Sequence, residues 1–129
     1  MNTQRIEAAL QALLQPTNED AFVIFEDRAT GKFVQFTGSA EEPLLLDLPL
    51  QALDTAERQR AQDLFRTFSL PGATAADLYD KPGGTIVGQQ VSYQLECGKD
   101  CTHAAETAMR IFEVVYGLPS AFDLIVEEN

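Results

Sequence analysis

The chain is short of the side chains that most chemistry needs. It has two cysteines and one histidine in 129 residues. Two cysteines build no disulfide framework. A structural zinc site wants four ligands, and the segment Cys97-Gly98-Lys99-Asp100-Cys101-Thr102-His103 offers three at most while using the only histidine. Cations are also scarce: nine Lys and Arg face 20 Asp and Glu, for a net charge of −11. A surface of that sign repels phosphate backbones and anionic lipid, so neither nucleic acid nor membrane is an expected partner. No apolar run approaches the 18 or so residues of a membrane span. The opening MNTQRIEAALQALLQ has neither the apolar core nor the small-residue cleavage site of a secretory signal. These features together predict a cytoplasmic protein without a cofactor. No nucleophile–base signature is present: Cys101 stands two residues from His103, whereas neighbours on one helix face are three or four apart. Lys81-Pro82-Gly83-Gly84-Thr85 lacks the spacing of a phosphate-binding loop. We therefore expect no enzyme.

What the chain does have is a hairpin of unusual composition. Phe22-Val23-Ile24-Phe25 and Phe33-Val34-Gln35-Phe36 are runs of β-branched and aromatic residues. Arg28-Ala29-Thr30-Gly31 joins them as a turn, with Gly31 free to take a positive φ. Strand side chains alternate between faces, so Phe22 and Ile24 share one face and Val23 and Phe25 the other. Both faces are apolar, and burying one such side chain is worth about 1.5–3 kcal/mol. Something is expected to cover each face: helices on one, and a helix, a second subunit or a bound segment on the other.

Around this hairpin the remaining elements fall into order. Asn2 or Thr3 caps a first helix running to about Gln15, with Ile6, Ala9, Leu10, Leu13 and Leu14 on one stripe and Pro16 as its stop. Thr17 to Asp20 is a polar connector. Leu44 to Leu50 reads as a short strand, and Pro43 and Pro49 favour an edge position for it. Asp54 followed by Glu57 opens a second helix, to about Phe68, with a capping box. Pro71-Gly72 and Pro82-Gly83-Gly84 mark turns around a helical turn expected at Ala75 to Tyr79. Val87 to Cys97 alternates as a strand with one wet side. Asp100 or Thr102 caps a third helix, stopped by Gly117 and Pro119, and Ala121 to Val126 forms a last strand. The expectation is one α+β domain over residues 1–129. It has an antiparallel sheet of about five strands and three helices mainly on one side, in the order α-β-β-β-α-β-α-β.

The hairpin FVIFEDRATGKFVQFTG and the closing segment CTHAAETAMRIFEVVYGLPSAFDLIVEEN resemble the YbjN and type III secretion chaperone-like superfamily. The resemblance implies a small acidic α+β domain, commonly a homodimer, that binds a segment of another protein without ATP. One difference stands out: secretion chaperones end on a helix after two adjacent strands, and here a helix at about Thr102 to Tyr116 separates the last two strands.

The expected function is thus a non-enzymatic, chaperone-like module for a basic or amphipathic protein segment. Phe22, Ile24, Phe33, Phe36, Leu44 and Leu46 are its candidate contact residues. An acidic inhibitor or immunity-type protein that caps one folded partner is the alternative. In that reading binding is strongly salt-dependent.

Overall fold

A computed structural model describes residues 2–16, 22–67, 74–79 and 84–128, with the backbone alone at 74–79 and 86–90. The elements are α1 (Asn2–Leu13), β1 (Phe22–Asp27), β2 (Phe33–Thr37), β3 (Leu44–Pro49), α2 (Thr55–Thr67), β4 (Thr74–Tyr79), β5 (Ile86–Gly98), α3 (Cys101–Arg110) and β6 (Leu124–Glu128). One helical turn, Leu50–Ala52, links β3 to α2, and a wider turn, Ile111–Val115, continues α3. The class is α+β, with three helices beside an antiparallel sheet, as expected. The sheet has six strands in the order β4-β5-β3-β2-β1-β6, every neighbour antiparallel.

The hairpin turn is built as its sequence requires. Gly31 takes φ +74°, a region that costs other residues a Cβ clash. The Asp27 carboxylate, itself buried, accepts the Thr30 N–H at 3.1 Å and the Thr30 hydroxyl at 2.6 Å, the local side-chain closure that favours Asp before a turn. The second helix opens on the capping box: Asp54 Oδ1 accepts the Glu57 N–H at 2.7 Å, and Glu57 Oε1 accepts the Asp54 N–H at 2.9 Å. Asp100 caps α3 by accepting the His103 N–H at 3.0 Å.

Two readings of the strands are corrected. β3 lies inside the sheet, between β2 and β5, and is not an edge. Pro43 precedes the strand and Pro49 is its last residue, so neither removes a donor from the middle of the ladder. Residues 74–79, TAADLY, are extended and pair along β5, where a helical turn was expected at Ala75 to Tyr79. The long partner supplies hydrogen bonds along its length, and that tertiary pairing overrides a local preference. The connector Thr17 to Asp20, Phe68 and the turn signals Pro71-Gly72 and Pro82-Gly83 lie outside the described residues.

All three helices contribute to one core. Ile6, Leu10 and Leu13 of α1, Ala61, Leu64 and Phe65 of α2, and Ala104, Ala105 and Ala108 of α3 join Val23, Phe25, Val34, Phe36, Leu44, Leu46 and Leu48 in a single buried cluster. Phe65 stacks on Tyr93 of β5 at 4.9 Å, and the Phe25 and Phe36 rings meet edge-on at 6.0 Å. The end of α3 widens: Tyr116 N–H reaches back five residues to the Ile111 carbonyl at 3.1 Å, a π-type turn. Gly117 at φ +69° then turns the chain out. Arg60 of α2 donates through Nε to the Val115 carbonyl at 2.8 Å, satisfying one of the acceptors a helix end leaves over.

α1 also lies along β6. Asn2 Nδ2 donates to the carbonyls of Ser120 (3.1 Å) and Phe122 (2.8 Å), and Arg5 Nη1 to that of Leu124 (3.2 Å). Arg28 N–H bonds to the Asp123 carbonyl on the β1 side. Because antiparallel pairs alternate, the Leu124 carbonyl points away from β1. Arg5 thus covers part of an outer sheet edge, which would otherwise present unpaired groups to another chain.

Candidate functional site

With the helices packed on the face that holds Val23 and Phe25, the alternate side chains form a second face. No described helix covers it. Its pattern follows from register. Ile24 sits between Gln35 of β2 and Glu127 of β6, Glu26 between Phe33 and Ile125, and Phe22 beside Thr37. Further across, Leu45 lies between Thr37 and Glu96, and Asp47 between Gln35 and Gln94. Phe22, Ile24, Phe33, Leu45 and Ile125 are all partly exposed. Four carboxylates, Glu26, Asp47, Glu96 and Glu127, share the face with them. Gln94 Nε2 donates to Asp47 Oδ1 at 3.4 Å.

The six strands contain no Lys or Arg. The described cations near the strand ends are engaged elsewhere. Arg28 pairs with Asp123 at 2.9 Å, Lys32 with Glu57 at 2.9 Å, and Lys99 donates to the Ala40 carbonyl. The sheet layer is acidic, and the described cations sit on helices and turns.

The six candidate contact residues divide by this geometry. Phe22, Ile24 and Phe33 come together on the open face. Phe36, Leu44 and Leu46 are 0% exposed in the core, so their place at a contact surface is corrected. Even positions of β2 and β3 point at the helices, and these three side chains have no area left for a partner. The sequence reading missed Leu45, Ile125 and the four carboxylates. Their signal was the want of any cation in the strand segments combined with the period-two alternation of the hairpin.

The cysteines face the core, Cys97 from β5 and Cys101 from the start of α3. Both are buried and free. Burial, with Asp100 and Glu96 nearby, pushes the Cys97 thiol up to about 11. Burial, Glu7 and Asp100 likewise raise Cys101. A helix N-terminus lowers a thiol, but at Cys101 desolvation and two carboxylates outweigh the dipole. His103 is exposed on α3. Among the described residues no group of three His, Cys, Asp or Glu side chains is placed to hold a metal ion. None of their helices is long and apolar enough to cross a membrane.

A shallow groove of about 260 Å³ lies between α2 and the end of α3, lined by Arg60, Asp63, Leu64, Thr67, Arg110 and Val114. Its Arg60 is committed to the Val115 carbonyl.

No family model matches this chain, and no curated protein and no solved structure matches it.

Proposed function

We propose that this chain is a non-enzymatic, chaperone-like module that docks a segment of another polypeptide on the open face of its sheet. One observation carries the reading. Phe22, Ile24, Phe33 and Ile125 remain partly exposed on adjacent strands, on a face that no described helix covers. Large apolar side chains left accessible among carboxylates on one sheet face suit a partner that is both apolar and basic. The likeness to secretion chaperones points the same way. Any homodimer in this reading forms through a different surface, because two copies of this face would set carboxylate against carboxylate.

The test compares adjacent positions. Val23→Asp places a charge in the core and unfolds the protein. Ile24→Asp leaves circular dichroism and the thermal midpoint close to wild type. A photo-crosslinker at position 24 then captures a polypeptide in native-cell extract, and one at Arg66, exposed on α2, does not. Unfolding by both aspartates, or equal capture at both sites, would sink the reading.

A further inference from the structure

Resting on that docking surface, we infer that its occupant is a short basic amphipathic helix. Three properties of the face select it. The first is charge. Glu26 lies between Phe33 and Ile125, Glu127 stands beside Ile24, and Asp47 and Glu96 lie further across; the strands supply no cation, and the described cations at their ends bond to other partners. Lys and Arg on the occupant would meet this field, and a second acidic copy would be repelled by it.

The second property is size. Phe22 to Glu26 spans four strand rises, about 13 Å, and β3 to β6 spans three strand spacings, about 14 Å. The part of the face between β3 and β6 is therefore about 200 Å² in plan. That part is wide enough for one helix, of diameter about 10 Å.

The third property is the absence of backbone partners. The ladders on both sides of β1, β2 and β3 use their N–H and C=O groups within the sheet plane. A segment lying on the face must satisfy its own backbone. A helix does so internally, and an extended strand does not. The occupant's apolar stripe rests on Phe22 and Ile24, and its cations reach Glu127 beside Ile24 and Glu26 between Phe33 and Ile125.

The probe is a synthetic peptide of about 14 residues, Lys and Leu at helical spacing, titrated into isotope-labelled full-length protein and followed by amide chemical shifts. Two control peptides accompany it: a scrambled sequence without an apolar stripe, and one with Glu for every Lys. The expected result is shifts confined to β1, β2 and β6, and helix formation in the peptide on binding. Glu26→Gln/Glu127→Gln weakens binding by about tenfold and flattens its salt dependence. Ile24→Ser also weakens it by about tenfold. Equal binding of the scrambled peptide, or shifts centred on the helices, overturns the inference. Equal binding of the Glu peptide at the same residues overturns the charge argument and leaves the docking surface standing. A flat titration with all three peptides removes both.

Discussion

The ammonium of Lys32 lies 2.9 Å from Oε1 of Glu57, and that same oxygen accepts the Asp54 N–H. One carboxylate, 4% exposed, therefore holds the hairpin tip and the start of α2 together. The Lys32 ammonium also lies 5.9 Å from the centre of the Tyr116 ring, whose hydroxyl donates to the Phe33 carbonyl at 2.6 Å. Lys32→Met leaves a buried carboxylate without its cation. It is expected to lower unfolding free energy by about 1–3 kcal/mol, because Lys32 is still in part solvated. Glu57→Gln keeps the shape and loses the charge, and the double variant is expected to cost less than the sum. A urea double-mutant cycle measures the coupling; strict additivity would show that the pair acts independently.

Adjacent leucines on β3 should behave differently. Leu46 is fully buried and Leu45 is not. Leu46→Ala is expected to cost about 2–5 kcal/mol, and Leu45→Ala less than about 1 kcal/mol. Equal losses in denaturant melts would mean that both faces are core.

The thiols give a chemical readout. With Cys97 raised from 9.0 to about 11, its thiolate fraction at neutral pH is about 100-fold below that of an unperturbed thiol. Native Cys97 should alkylate correspondingly slowly and react at once after unfolding. The sign for stability follows from the same shift: the folded chain holds the proton more tightly. The contribution is full below pH 9 and is lost as pH rises toward 11. A thermal midpoint that rose over that window would contradict the burial argument.

Gly117 isolates backbone strain. At φ +69° a Cβ there meets no atom within 4 Å, so Gly117→Ala is expected to cost about 1–2 kcal/mol through conformation alone. Gly117→Asn is expected to cost less, since Asn tolerates this region. Equal midpoints for wild type and the alanine variant would show that the α3 exit relaxes.

Much of this fold was legible because its cues are local. Gly31, the Asp54 and Glu57 box and Gly117 each act within a few residues, and each does in the structure what its type suggests. β3 and β4 depend on partners far away in sequence. Pro43 and Pro49 read as edge signals until β2 and β5 are seen on either side, and TAADLY has little strand character until β5 pairs with it. The candidate site shows the same limit. The hairpin's alternation identified two apolar faces, but only the helices decide which is core, and they chose the face of Val23, Phe25 and Phe36.

The pairing of β1 with β6 bears on how the protein is made. Val23 to Asp27 must wait for Leu124 to Glu128, and Asn2 and Arg5 wait for the carbonyls of Ser120, Phe122 and Leu124. Until residues 120–128 have been synthesised, β1 has a bare edge and α1 lacks its final contacts. Such nascent chains are prone to stick to one another. A protein proposed to shelter segments of others thus passes through a stage on the ribosome in which its own first strand needs shelter.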